Sequence, residues 1–367
     1  MVRSRARLPA SDRLPRLPGK GETERAPPPR TMAAFAAFVG LSRPTVSRFF
    51  NDPASLRETT RRRIALAVEA SGFQPNLLAA NLVRRRSNIV GIIIPDPVDP
   101  FYTALTRRVQ AIASEAGFHA FVLSSDGDRT EEARAVGTLA AMSVAGIIVA
   151  PLGGSEGGGA LERMQTDIPI VYVDSPPARP AAFVGTDNRA SFALMVDHLC
   201  DTGTPPRFLA MPAVNANAAS RAEAYDAAMR ARGFEPILLP LPNARDWDFE
   251  RVGFEASAAW IAAGGVAGAT VLCANDRLAF GALAAAWQAG VRVGRAEACD
   301  LRIAGHDDHP LSRYACPPLT TVAQDYDEIA GRAMAILLRR LAEEAPAAAG
   351  GEDLVLLGAR VVARESA

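Results

Sequence analysis

Arg43 and Arg48 flank short hydroxyl side chains in LSRPTVSRFFNDP (41–53), the densest stretch of recognition chemistry in this 367-residue chain. If Ser42 caps a helix, Arg43 and Pro44 stand at its exposed amino end, with Thr45, Ser47 and Arg48 on or beside the same side. Such an end reads base edges in a major groove. One arginine there matches guanine O6 and N7 with two parallel donors, worth about 1–3 kcal/mol of discrimination. Thr45, Ser47, Asn51 and Thr60 are short donors suited to phosphate oxygens, while Arg61–Arg63 suit phosphate contact and plain solvation equally.

Other chemistries find little support. GGSEGGG (153–159) has the glycines of a phosphate loop without its lysine, and no G-x-S-x-G stands anywhere. His306-Asp307-Asp308-His309 offers ligand types, but neighbours at a strand end rarely aim at one ion. No metal, cofactor or catalysis is expected. Cys200, Cys273, Cys299 and Cys316 lie far apart with no C-x-x-C pair, which argues for a reducing, cytoplasmic setting. The longest apolar runs, such as Ile89–Pro95, fall well short of the roughly 20 residues of a membrane span. The first thirty residues carry eight basic side chains and no apolar core of a signal peptide.

The net charge of zero hides an asymmetry. Residues 1–86 hold 17 Lys+Arg against 6 Asp+Glu, and the other 281 hold 23 against 34. A polyanion-binding end is joined to a body with another task.

The elements that must position these groups follow from periodicity. Residues 1–30, rich in Pro and Arg, read as a disordered basic tail, with Met32 as an alternative start. Thr31 caps a helix at Met32–Val39 whose apolar residues Met32, Phe35, Phe38 and Val39 recur at helical spacing, and Gly40 ends it. Arg43–Phe50 is the second helix and Glu58–Ser71 the third, stopped by Gly72. Three short helices with a glycine between the first two form a helix-turn-helix. Asn76 then caps one to two turns, 76–83, too short to stand alone in water.

From residue 87 onward, β-branched runs at 88–95, 120–123, 145–150, 168–174, 207–212, 269–274 and 300–305 alternate with helical patterns. The helical patterns are Pro100–Ala116, Arg129–Met142, Asn188–Cys200, Ser220–Arg232, Asp246–Ala263, Asn275–Ala289 and Asp325–Leu341. This is parallel α/β architecture, and its length suggests two sheets packed as lobes with a cleft at their strands' carboxyl ends. The domain reading is a tail (1–30), a DNA-binding domain (31–86) and a two-lobed body (87–367).

The ordered series LSRPTVSRFFNDP (41–53), TTRRRI (59–64), GFQPNLLAANL (72–82), ANDRLAFGAL (274–283), GHDD (305–308) and PPLTTVAQD (317–325) resembles the lactose-repressor (LacI/GalR) family of bacterial transcription regulators. The resemblance implies a sequence-specific repressor that dimerises, binds double-stranded operator DNA and responds to a small effector, most often a sugar, held between two lobes like those of periplasmic sugar-binding proteins. It places base readers at Arg43, Pro44 and Arg48, and a minor-groove hinge helix with Asn76, Ala79 and a wedging Leu82. It nominates Asp99, Phe101, Ser125, Asp126, Asp174, Arg221, Trp247, Asn275, Asp307 and Gln324 for the effector. His306 fills a position the family gives to an aromatic, and Ser191 one it gives to glycine. No leucine-heptad tail follows Ala363, which favours a dimer. The rival reading is a solute receptor without DNA activity, which the helix-turn-helix opposes.

Overall fold

The computed structural model describes residues 29–74, 87–153, 159–165, 168–177, 179, 181–241, 247–343 and 353–367. The chain divides into two compact units, Met1–Val83 and Arg84–Ala367.

In the first unit, α1 (Met32–Val39), α2 (Arg43–Asn51) and α3 (Glu58–Ser71) enclose a small core. Their starts and stops are local chemistry. Thr31 Oγ1 accepts from the Ala34 amide at 3.1 Å, and Ser42 Oγ from the Thr45 amide at 3.3 Å. Gly40 closes α1 at φ 70°, a left-handed conformation that a side chain resists. Arg63 of α3 donates to the freed Val39 carbonyl at 2.6 Å, tying the third helix to the end of the first. The core centres on Phe35, fully buried and stacked on Phe73 with centroids 4.2 Å apart. Val46, Ile64, Ala36 and Val39 complete it. Phe38, expected among the inward residues, is 52% exposed, because Phe35, Ala36 and Val39 already fill the inward stripe.

The second unit is parallel α/β. Its first lobe holds β1 (Ile89–Ile94), α4 (Pro100–Glu115), β2 (His119–Ser124), α5 (Arg129–Ala141), β3 (Gly146–Val149), α6 (Ala160–Met164), β4 (Ile170–Val173) and β5 (Phe183–Thr186). The chain then enters the second lobe as α7 (Asn188–Thr202), β6 (Pro206–Leu209), α8 (Ala216–Ala231), α9 (Phe249–Ala262), β7 (Ala269–Cys273), α10 (Asp276–Gln288), β8 (Leu301–Ala304) and β9 (Thr321–Ala323). It returns through α11 (Tyr326–Ala342) and β10 (Leu354–Leu357) and crosses back as β11 (Arg360–Val362).

The first sheet runs β10-β5-β4-β3-β1-β2 with every pairing parallel, and the second β6-β7-β8. β9 and β11 pair antiparallel at the crossover. Strands β1, β3 and β4 are buried along their length, as helices on both faces require. One face packs Leu105 and Val109 of α4 with Met334 and Leu337 of α11; the other packs Val136 and Leu139 of α5.

β5, β9, β10 and β11 go beyond the seven expected strands. They are three or four residues long, and β10 exposes Leu354 and Leu356 by more than half, so no alternating signal marks them. α8 begins at Ala216 rather than Ser220 because Asn215 caps it, accepting from the Asn217 amide at 3.1 Å. α9 begins at Phe249 behind the cap Asp248, and residue 246, where it was expected to start, lies outside the described residues. No helix among the described residues is long and apolar enough to cross a membrane.

Replacing Phe35 with alanine removes the ring on which the first unit's core is stacked. The expected loss is about 3–5 kcal/mol. Hydrogen exchange on the full chain checks it: amides of 32–71 lose protection while those of β1 and β3 keep theirs.

Candidate functional site

Two sets of side chains stand apart from the cores. On α2, Arg43, Pro44 and Arg48 are exposed and project from the helix. Ser42 and Thr45 are joined hydroxyl to hydroxyl at 2.8 Å and hold the helix start; Ser47 is half-buried. Arg63 is taken up by the Val39 carbonyl and Arg61 pairs with Glu58, leaving Arg62 the most exposed of the three. The side chain of Asn51, and all of Asn76, Ala79 and Leu82, lie outside the described residues.

In the second unit, a cleft between the lobes gathers Asp99, Phe101, Asp174, Arg221, Trp247, Asn275, Asp307 and Gln324 around a cavity of about 30 Å³. That space suits one or two waters. A sugar-sized ligand requires the lobes to part.

The cleft hangs on Asp307. Its Oδ1 accepts from Arg221 Nη2 at 3.1 Å, from Gln324 Nε2 at 2.6 Å and from His306 Nδ1 at 2.9 Å. Thr186 Oγ1 donates to Gln324 Oε1 at 2.5 Å, so the two crossover segments after β5 and β9 join through one amide. Burial alone would raise the Asp307 pKa, but Arg221 and the His306 and Gln324 donors outweigh it and hold the carboxyl below its usual range. The backbone bears a cost: Asp307 sits at φ 120° and Asp308 at φ 51°, conformations that persist only where surroundings over-determine them. His306 stacks on Phe192 at 5.0 Å and meets Ser191 Oγ through Nε2 at 3.0 Å. Ser191 and His306, which stand where the family has a glycine and an aromatic, are thus partners.

The first lobe contributes Asp174 and Asp99. Tyr102 donates to Asp174 Oδ2 at 2.8 Å, and Asn217 Nδ2 reaches the Asp174 carbonyl at 3.3 Å. Burial pushes Asp174 up to about 6, against the pull of Arg221 and the Tyr102 hydroxyl. Burial likewise pushes Asp99 up to about 6, although Arg277 stands beside it.

Arg277, from α10 of the second lobe, spans the cleft. Its Nη1 donates to Asp96 at 3.1 Å and Asp99 at 3.2 Å in the first lobe, while Nε and Nη2 hold Glu250 at 2.8 and 2.9 Å. Trp247 packs against the cores of both lobes. A side-chain carbon on Gly127 would lie 2.0 Å from its ring, so only glycine admits the indole at that contact.

Two nominated residues stand outside this lining. Ser125 is buried under β1, its hydroxyl 3.5 Å from the Ile94 carbonyl, and Asp126 is exposed, accepting from Ser124 Oγ at 2.6 Å. Neither lines the cleft; both shape the turn after β2, and the neighbouring Gly127 makes the contact. Asn275 lines the cavity but its Oδ1 is occupied as the cap of α10, 2.9 Å from the Leu278 amide. Sequence reasoning missed Tyr102, Asn217, Phe249 and Arg277; only the position of Tyr102, beside Phe101 at the start of α4, carried a signal.

An acid held above its unfolded pKa is penalised once ionised. At Asp174 the folded chain binds more protons than the unfolded one between about pH 4 and 6, so the penalty is absent below that window and full above it. Asp174→Asn is expected to stabilise the chain at neutral pH by on the order of 2 kcal/mol. The gap should shrink as pH falls towards about 4. Melting curves across this range check it, and a pH-independent gap would contradict it.

Arg277→Ala leaves Asp96, Asp99 and Glu250 facing one another. A loss of about 1–3 kcal/mol is expected, less than for a fully buried pair because Glu250 is partly exposed. Adding Asp99→Asn should recover part of that loss in a double-mutant cycle of melting free energies.

Residues 90–345 match the family described as Periplasmic binding protein domain, and residues 31–76 the family described as Bacterial regulatory proteins, lacI family. The ribose operon repressor of Escherichia coli (strain K12) is 26% identical over 317 residues, covering 85% of this chain and 93% of that protein. The HTH-type transcriptional regulator DegA of Bacillus subtilis (strain 168) is 29% identical over 308 residues, covering 82% and 88%. The solved lac repressor dimer bound to operator and the anti-inducer ONPF superposes with a TM-score of 0.76 at 24% identity, covering 92% of this chain and 99% of that one. Helix-turn-helix, crossover-linked lobes and both family matches agree: the chain belongs to the LacI/GalR family of bacterial transcription regulators.

Proposed function

We propose that this chain is a cytoplasmic, homodimeric repressor whose hold on double-stranded operator DNA is set by a small polyhydroxylated effector bound between the lobes. One observation carries the reading: side chains from both lobes and from the crossover after β9 converge on one cavity. Carboxylates, amides and a guanidinium bordered by Trp247, Phe101 and Phe249 suit hydroxyl pairs on a sugar ring. The ribose named in the repressor relative belongs to the same chemical class. At the other end, Arg43 and Arg48 supply the bidentate donors that guanine takes. A ligand that wedges the cleft pulls on the Thr186–Gln324–Asp307 linkage, and the crossovers carry that displacement.

Binding of the full chain to genomic DNA fragments, followed by titration with monosaccharides, tests this. A retarded fragment released or tightened by one sugar is expected; no retardation would favour a solute receptor. Arg221→Ala should abolish the sugar response while DNA binding persists, because it removes the guanidinium shared by Asp307 and the Ala274 carbonyl. An unchanged titration midpoint in that variant contradicts the assignment.

A further inference from the structure

The charge of the cleft is out of balance. Asp99, Asp174 and Asp307 line the cavity against one lining guanidinium, Arg221, which is already engaged by Asp307. Arg277 adds a second cation but divides itself among Asp96, Asp99 and Glu250. Five carboxylates therefore share two guanidiniums. Asp174 is the extreme case: 8% exposed, it receives the neutral Tyr102 hydroxyl, with no cation at ion-pair distance among the described residues. Burying a carboxylate without a counter-charge is costly, and a closed cleft keeps paying until something positive arrives.

A second observation points to the ligand's other side. Arg221, 4% exposed, has an Nε with no hydrogen-bond partner among the described residues, a donor awaiting an oxygen. The cleft thus offers one carboxylate without an ion-pair partner among the described residues, Asp174, on the first-lobe wall and a spare donor on the second-lobe wall. Phe101, Tyr102 and Trp247 form aromatic walls beside the acidic side, and ring faces favour a cation.

We infer that the effector carries a protonated amine alongside its hydroxyls, as an amino sugar does, with the ammonium at Asp174 and ring or hydroxyl oxygen at Arg221. This rests on the reading of the cleft as the effector site and narrows its ligand. A neutral sugar satisfies the hydroxyl contacts but leaves Asp174 without a cation at ion-pair distance. Acetylating the amine does the same while keeping the ring.

Calorimetric titration of the full chain tests the inference with glucosamine, galactosamine and mannosamine, each beside its parent hexose and its N-acetyl form. In at least one series the amine should bind about tenfold more tightly than both neutral partners, the scale of one charge-assisted hydrogen bond. Asp174→Asn should erase the preference. A parent hexose or N-acetyl sugar binding as tightly as its amine overturns the inference and leaves the polyol reading standing. An amine preference that survives Asp174→Asn overturns the placement of the ammonium. No binding by any of the nine sugars overturns both. The N-acetyl comparison needs no variant, so it decides even if the substituted chain misfolds.

Discussion

One carboxylate oxygen organises the body of this regulator. Asp307 Oδ1 takes three donors from three places: α8 through Arg221, the segment after β8 through His306, and the crossover after β9 through Gln324. Three donors at one acceptor are tolerable only because that acceptor is ionised, and the positive φ of Asp307 is the strain borne to bring it there. Thr186 extends the chain of bonds to the other crossover. Such a network stiffens the segments it joins; remove one partner and the groups it held are buried without compensation.

Around this pivot the lobes are closed by contacts of a different kind. Arg277 and Trp247 reach across the cleft, one as a shared cation and the other as a ring seated on Gly127. Neither is suited to be permanent. The guanidinium is divided among three acids, and the indole Nε1 is buried without a hydrogen-bond partner among the described residues. The closed cleft therefore stores unmet demand, two raised carboxylates and two orphan donors, which a ligand of the right polarity relieves. In the proposed function, closure by partial compensation is what would let a small molecule shift the lobes towards a second arrangement.

The sequence was most legible where chemistry is local. Thr31 and Ser42 cap the helices they precede, Gly40 and Gly72 end theirs, and Glu58–Ser71 runs between the expected residues. Eight of the ten nominated effector residues line the cleft, since strand ends and family positions agree there. Legibility failed where meaning depends on a distant partner. Arg277 reads as one more solvated helix arginine until Asp96 and Asp99, 181 and 178 residues earlier, are brought beside it. Asp126 follows a strand as other nominated residues do, but its backbone is left-handed, its side chain is exposed, and it is Gly127 that meets Trp247. The edge strands escaped for a plainer reason: three or four residues exposed on one face carry too little pattern.

The pivot is open to a direct measurement. Asp307→Asn keeps the shape of the side chain but not the charge that gathers Arg221, His306 and Gln324. The coupling between effector and operator is the ratio of operator affinities with and without saturating sugar, measured at one salt concentration with whichever sugar most raises the melting temperature. In the substituted chain that ratio should fall to about one while operator affinity without sugar stays within about twofold. A ratio equal to that of the unaltered chain would show that the coupling runs elsewhere, and that Asp307 is not its centre.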